Sequence, residues 1–509
     1  MKLLKTIFSR IFIFGLCLVL QFVWYIELFW NLASISAPIM AFCMLLSVLV
    51  VLMIVRKDQN PALKIPWIIA ILALPLLGGL LYLFLGTKRP ARHMRRKLDR
   101  AYGRSAGLLK QDPEILRELE EKDKRAVGQC RYLNHEGYPV YQNTEAAYYP
   151  LGDLVYPVML EELKKAEHFI FLEYFIIDDD GMWNGILEIL EERVRAGVEV
   201  RVIYDDVGCL PTALPADYWR QLEKKGIKSF AFNPFIPIFS VAMNNRDHRK
   251  ITVIDGHTAF SGGINLADEY INRKVKYGHW KDNGFRLKGE AVWSYTVMFL
   301  DMWNAFRPED QDYEAFRPRV WHPEAFTGTG YIQPYGDSPL DSEVTGENVY
   351  LNIINQAHDY VYIFTPYLII DNEMITALTL AAKRQVDVRI VTPGIPDKKA
   401  VFWLTQSYYE GLIRHGVKIY EYTPGFIHGK CFVADDRMAT AGTINADYRS
   451  LYLHFECGTY FYDSPVVAQI KADFLDTFEK CRLIGKEDCA AGLPKSLFQM
   501  ILRVFAPLM

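Results

Sequence analysis

The stretch H-R-K-I-T-V-I-D-G, His248 to Gly256, is followed by S-G-G-I-N, Ser261 to Asn265. Both return later, as H-G-K-C-F-V-A-D-D, His428 to Asp436, and A-G-T-I-N, Ala441 to Asn445. Counted from each histidine, a lysine stands at +2, an aspartate at +7, a glycine at +14 and an asparagine at +17 in both copies. Residue types that agree at so many matched offsets mark a duplication. The repeat extends upstream. A-E-H-F-I-F-L-E-Y-F-I-I-D-D (Ala166–Asp179) and A-H-D-Y-V-Y-I-F-T-P-Y-L-I-I-D (Ala357–Asp371) are apolar, aromatic-rich segments of strand character. Each leads into a helical stretch, Trp183–Ala196 or Glu373–Arg384, and then into a second β-branched segment, Val198–Asp206 or Val386–Pro393. A β-α-β unit occurring twice predicts parallel strands with crossover helices. The period is too long for a solenoid. The expected fold is therefore α/β, with two pseudo-symmetric domains, each a mixed β-sheet flanked by helices.

The rest of the chain is organised around this pair. At 509 residues it exceeds one ordinary core. Its first 86 residues are almost continuously apolar, in three runs: Ile11–Trp30, Ile35–Val55 and Ile65–Leu85. Each approaches the ~20 residues a membrane-spanning helix needs. Basic clusters precede the first run (Lys2, Lys5, Arg10), separate the second and third (Arg56, Lys57, Lys64), and follow the third (Lys88 to Arg100). The positive-inside tendency would put all three clusters in the cytoplasm, which three full spans cannot do, so one run is read as interfacial or re-entrant. The strongest cluster adjoins the polar region, which places that region in the cytoplasm. At the other end, Leu497, Phe498, Ile501, Leu502 and Phe505 share one helical face. That short amphipathic helix suits either a bilayer surface or the protein's own. The eight cysteines lack C-x-x-C spacing, as single thiols in a reducing compartment do.

The motif residues point to chemistry on an anion. A histidine and a lysine two apart on a strand project from one face and can meet the same group. Phosphodiester chemistry asks for a nucleophile, an acid for the departing alkoxide, and cations for the phosphoryl oxygens. One copy supplies a single imidazole; two copies facing each other supply His248, Lys250, His428 and Lys430. The duplication thus predicts one site at the interface between the halves. Asp255 and Asp435 end apolar strands, where they could hold a turn or pair with cations. Asn265 and Asn445 could bind substrate oxygens or cap a following helix. Gly262, Gly263 and Gly442 would permit close backbone approach. Each imidazole also needs an orienting acceptor. Asp282 in W-K-D-N-G and Glu456 in H-F-E-C-G are candidates, at unequal offsets from the two motifs. No cluster has metal-ligand spacing, and the lysines supply the positive charge a metal would bring, so no metal or cofactor is expected.

H-x-K-x-x-x-x-D followed by G-x-x-N, present twice, resembles the signature of the phospholipase D superfamily, over about residues 146 to 490. With the N-terminal apolar runs, P-L-L-G-G-L-L-Y-L-F-L-G in the third, H-W-K-D (His279–Asp282) and A-D-Y-R-S (Ala446–Ser450), it is similar to the bacterial cardiolipin synthases. The resemblance implies a transmembrane helical region (1–87), a basic linker (88–145), two phospholipase D-like domains (146–320 and 346–490) joined by a connection (321–345), and a C-terminal amphipathic helix (491–509). It implies a multi-pass enzyme of the bacterial cell membrane that passes a phosphatidyl group between two phosphatidylglycerol molecules through a phosphohistidine. His248, Lys250, Asp255, His428, Lys430 and Asp435 would be catalytic, with Asn265 and Asn445 near the phosphate. It favours His248 as nucleophile and His428 as acid, an assignment the symmetry of the repeat leaves open. The motifs do not name the acceptor, so water or another alcohol remain alternatives. The apolar runs and the net charge of −3 argue against nucleic acid as a partner. Two intact motifs argue against a non-catalytic scaffold.

Overall fold

The computed structural model describes residues 37–74 and 92–508, apart from 213, 236–243, 311 and 491, with scattered positions before 37 and between 75 and 91. The first unit contains β1 (Thr144–Tyr149), β2 (Phe169–Tyr174), β3 (Glu199–Asp205), β4 (Lys228–Phe232), β5 (Arg246–Asp247), β6 (Lys250–Ile254), β7 (Thr258–Gly262), β8 (His279–Lys281) and β9 (Gly284–Gly289). The second contains β10 (Tyr331–Asp337), β11 (Tyr360–Phe364), β12 (Asp387–Pro393), β13 (Lys418–Tyr422), β14 (Gly425–Ile427), β15 (Cys431–Ala434), β16 (Met438–Gly442), β17 (His454–Tyr462) and β18 (Cys481–Leu483).

Strand orders make the duplication visible. One sheet runs β1-β9-β7-β6-β2-β3-β4 and the other β10-β17-β16-β15-β11-β12-β13, with β18 added at its edge. In each, three parallel strands continue into antiparallel ones. The parallel strands β2 and β3 are joined through the helix Gly181–Arg195, and β11 and β12 through Asn372–Lys383, so the predicted β-α-β units are present. These strands are buried on both faces, which is why their sequences are apolar runs rather than alternations.

Between the sheets lie two helices, Val292–Phe306 and Pro465–Glu479, each following the long antiparallel strand of its own unit. The first is buried at nearly every residue. One apolar core runs through these helices and both sheets, including Phe171, Phe285, Phe299, Val433, Phe461 and Phe474. Phe285 meets Phe461 edge-to-face across the junction. The halves therefore share a core rather than resting against each other as separate domains.

Of the segment 88–145, read as a linker, residues 92–145 are folded. Its helices are Arg92–Ser105, Pro113–Lys122 and Lys124–His135. Met94, Leu98 and Ala101 face the shared core, and Leu119, Val127, Cys130 and Leu133 enter the core of the second unit. The segment 321–345 is likewise more than a connection, since it contains the edge strand β10.

The run Ile11–Trp30 lies largely outside the described residues. The second run contains the helix Ala37–Arg56, whose side chains are described from residue 41 on, except at 43; the third begins in the helix Pro61–Ala73. Among the described residues no helix is long and apolar enough to cross a membrane. Leu45, Leu49, Leu52, Met53, Ile65, Ile69 and Leu72 are nonetheless exposed. At the turn between these two helices, Asn60 caps the second and donates to Asp371 Oδ2 (2.7 Å) and the Tyr452 hydroxyl (2.9 Å). That contact ties the N-terminal helices to the second unit. The C-terminal helix Leu493–Phe505 packs on Lys399–Arg414, where Phe498 meets Trp403, and it leaves Leu493, Leu497, Met500 and Ile501 exposed.

Each motif aspartate ties together two neighbouring segments of its own sheet. Asp255 has φ of 48° and Asp435 of 51°, turning the chain after β6 and β15. Asp255 accepts hydrogen bonds from the backbone N–H groups of Glu167, His168 and Phe169, all at 2.8 Å. Asp435 accepts from His358, Asp359 and Tyr360 at 2.7 to 3.0 Å. Both sit at the far end of their strands from the histidines, so the catalytic role given to them by resemblance is replaced by a structural one. Asp255→Ala should lower the free energy of unfolding by about 2 kcal/mol, since it removes a buried carboxylate that accepts from three backbone amides. A denaturant titration measures this.

Candidate active site

His248 follows β5, and His428 follows β14. Each of these short strands leaves its own half to pair with the other. β5 runs parallel to the start of β17, with Arg246 opposite His454 and Asp247 opposite Phe455. β14 runs parallel to β8, with Phe426 opposite Trp280 and Ile427 opposite Lys281. The backbone N–H of His248 then donates to the Phe455 carbonyl (2.9 Å), and that of His428 to the Lys281 carbonyl (2.7 Å). One residue further along β17 stands Glu456, and one past β8 stands Asp282.

This register assembles two imidazole–carboxylate pairs in exchange. His248 Nδ1 lies 2.9 Å from both Glu456 oxygens, and His428 Nδ1 lies 2.5 Å from Asp282 Oδ2. A carboxylate only accepts, so each Nδ1 carries the proton, leaving Nε2 with its lone pair. Each half supplies the carboxylate for the other half's histidine. Their unequal offsets in sequence reflect different loops after the motifs, and Glu456 is one methylene longer than Asp282. The Thr443 hydroxyl donates to Glu456, and the Asn283 N–H donates to Asp282 (2.9 Å).

The lysines do not share a strand with the histidines, as the sequence suggested. Lys250 opens β6, and Lys430 precedes β15. Their side chains turn back instead. Lys250 Nζ donates to the His248 carbonyl at 2.5 Å, Lys430 Nζ donates to the His428 carbonyl, and Lys430 Nζ lies 2.8 Å from His428 Nδ1. All four groups are buried. Burial pushes the Lys250 ammonium down to about 8 against the pull of Glu456 and Asp282. It pushes Lys430 down to about 7, helped by Lys250. His248 is held well below the usual imidazole range by burial, then by Lys250, Lys430 and His428. His428 falls to about 4 through burial and Lys430, against the pull of Asp282. Two imidazoles and two ammoniums thus act on one another in a single place, an arrangement suited to receive an anion.

The glycines and asparagines divide differently. A side chain on Gly262 would meet the Asn283 carbonyl at 2.4 Å, and one on Gly442 the Cys457 carbonyl at 2.4 Å. Each glycine lets its strand approach the segment carrying an orienting carboxylate. Asn265, predicted to bind substrate, is committed within the protein: its Oδ1 accepts from the Ile176 N–H (3.0 Å) and its Nδ2 donates to the Tyr270 hydroxyl (2.7 Å). Asn445 bonds to Asp447 while its Oδ1 has no hydrogen-bond partner. Residues that sequence reasoning passed over also line the histidines. Phe175 packs on His248, and Tyr270 and Trp280 pack on His428. His454 lies 5.4 Å from His248, centroid to centroid. No spacing rule singles them out.

Among the described residues, two groups of side chains have the proximity to hold a metal ion: His248 with His454 and Glu456, and Asp178 with Asp180 and Glu269. The first is already engaged in the His248–Glu456 bond and is faced by two ammoniums; in the second, Glu269 is paired with Lys276.

The family described as "Cardiolipin synthase, PLD-like domain" matches residues 159–299 and 350–477, which covers both motifs and both orienting carboxylates. The chain belongs to this family. A second match, "Phospholipase_D-nuclease N-terminal", covers residues 45–86. Cardiolipin synthase 2 of Bacillus cereus is 32% identical over 89% of this chain and 88% of its own. Cardiolipin synthase 1 of Staphylococcus aureus is 32% identical over 87% and 90%. An uncharacterized protein of Streptococcus mutans is 46% identical over 90% and 99%. Among solved structures, the phosphatidylserine synthase of Haemophilus influenzae superposes with a TM-score of 0.53 at 15% identity, over 71% of this chain and 93% of that one. The fold is shared. The chain is a phosphatidyltransferase of the phospholipase D type. In such an enzyme, Lys250→Ala and Lys430→Ala should each lower turnover by at least ~100-fold, as removal of one preorganised charge-stabilising donor does. Steady-state rates on folded variants measure the loss.

Proposed function

We propose that the enzyme is a cardiolipin synthase, which transfers a phosphatidyl group from one phosphatidylglycerol to another and releases glycerol. The observation that carries this reading is the exchanged pair of imidazole–carboxylate contacts, flanked by two buried ammoniums, in a chain alike over most of its length to enzymes named cardiolipin synthase. An anionic phosphodiester seated between Lys250 and Lys430 raises the proton affinity of every group around it, so His428 can hold a proton in the complex while His248 attacks. His248 Nε2 forms a bond to phosphorus, the bond from phosphorus to the glycerol oxygen breaks, and His428 gives its proton to that oxygen. A hydroxyl of the second phosphatidylglycerol then returns a proton to His428 and attacks phosphorus, and the P–N bond breaks. Glu456 and Asp282 hold the two rings and offset the charge they gain. No step in this scheme calls for a metal.

The same reading makes residues 1–87 a multi-pass membrane region of a bacterial cell membrane, with the catalytic units on the cytoplasmic side. The exposed apolar side chains of Ala37–Arg56 and Pro61–Ala73 support it. The exposed apolar face of Leu493–Phe505 suits the surface of the same bilayer.

Purified full-length protein with phosphatidylglycerol as sole lipid, in chelator, should yield cardiolipin and glycerol in equal amounts. Phosphatidic acid as the main product would make water the acceptor, and a strict divalent requirement would overturn the scheme. A donor with an activated leaving group, which needs no acid, tests the roles of the histidines. With it, His428→Ala should still form a phosphatidyl-histidine adduct mapping to His248, and His248→Ala should form none.

A further inference from the structure

The two halves are not equivalent around their histidines. In register, the position two residues before the orienting carboxylate is Trp280 in one half and His454 in the other. Both rings stand 5.4 Å from the imidazole they face, Trp280 from His428 and His454 from His248. The indole carries one donor and no acceptor. The imidazole of His454 is 7% exposed, and neither of its nitrogens has a hydrogen-bond partner. Leaving such a ring unpaired in a buried site is costly unless it has work there. Its Nδ1 lies 3.6 Å from Glu456 Oε1, the oxygen that also contacts His248 Nδ1 at 2.9 Å. The Thr443 hydroxyl donates to the other oxygen of the same carboxylate. At the equivalent position the first half has Gly263, with no hydroxyl to offer Asp282. Among the described residues, Asp282 is faced by no second imidazole.

We propose that His454 is a positioning residue that shares the Glu456 carboxylate with His248, and so makes His248 rather than His428 the nucleophile. This rests on the phosphohistidine reading above. Burial keeps His454 neutral, down to about 3, so it has a single N–H, and toward a carboxylate that N–H is on Nδ1. The neutral His454 ring, its Nδ1 3.6 Å from Glu456 Oε1, adds an N–H dipole to the hydrogen bonds that Thr443 and His248 give this carboxylate, which then pulls less strongly on the His248 proton. His248 then keeps a free Nε2 lone pair to lower pH. His428 faces an Asp282 carboxylate unshared with another imidazole and keeps its proton more readily, as the acid must. The charged and titratable groups around the two rings are Glu456, Lys250, Lys430, His428 and Arg449. Asp282 and Asp447 act on the lysines. His454 is the group that distinguishes the Glu456 side.

The test compares full-length wild type, His454→Phe and His454→Asn on phosphatidylglycerol, following kcat/KM against pH. The acid limb reports the pKa of the nucleophile. Removing the His454 dipole returns more of the pull of Glu456 to His248 and raises that pKa. In His454→Phe the limb should therefore move to higher pH, by roughly half a unit, since a dipole at 3.6 Å does less than a full hydrogen bond to a charged group. His454→Asn keeps an N–H donor and should stay near wild type. An unmoved limb in folded His454→Phe, or equal shifts in both variants, would overturn the proposal. If His454→Phe does not fold, His454→Met takes its place with the same outcomes. Adduct mapping on wild type is done alongside. An adduct on His428 would refute the underlying assignment, whereas an adduct on His248 with unmoved limbs would refute only the role of His454.

Discussion

The structure depends on an exchange of carboxylates. Neither half of the chain can orient its own histidine, because the acceptor for each Nδ1 lies in the other half. The exchange is fixed by backbone pairing: two residues of β5 against β17, and three of β14 against β8. These short ladders set the register, and the register sets which side chain faces which. A slip of one residue would turn each carboxylate to the opposite face of its strand and leave two buried imidazoles without acceptors. The shared apolar core, with its two central helices, makes such a slip expensive by locking the sheets together.

Burying two histidines and two lysines in one place works against folding. Desolvation disfavours charge on every one of them, and they repel one another when protonated. Glu456 and Asp282 offset part of this cost, and an anionic substrate offsets the remainder. The affinity of the site for a phosphodiester and its strain without one are therefore two aspects of the same electrostatics. The fixed dipoles that hold the rings need little rearrangement when the substrate arrives, which is the condition under which electrostatic stabilisation is most effective.

Much of this was legible in the sequence because duplication is a strong signal. Matched offsets predicted two units, a single site between them, and the two histidines and two lysines that act on one another there. The β-α-β units followed from apolar runs separated by amphipathic stretches. Other features were hidden for physical reasons. The pairing of His248 with Glu456 and of His428 with Asp282 depends on β5, β8 and β14, strands two or three residues long and too short to carry any periodicity. The commitment of Asn265 to Ile176 and Tyr270 depends on a loop whose path the motif does not reveal. The segment 88–145 looked like a linker because its charges dominate its composition, yet Met94, Leu98 and Ala101 lie on one face of a helix that packs into the common core. The relation of His454 to Trp280 appears only once β8 and β17 are aligned in space.

The exchange of β5 and β14 has one more consequence. Two identical copies of a half-chain could build the same crossed arrangement, but every position in one copy would be repeated in the other. Joining the halves in one polypeptide removes that restriction. A tryptophan can then stand beside one imidazole and a histidine beside the other, and a threonine can stand where its counterpart is a glycine. The covalent connection thus does more than hold the halves at high local concentration. It allows a symmetric scaffold to carry an asymmetric site, in which two otherwise similar imidazoles stand among different neighbours.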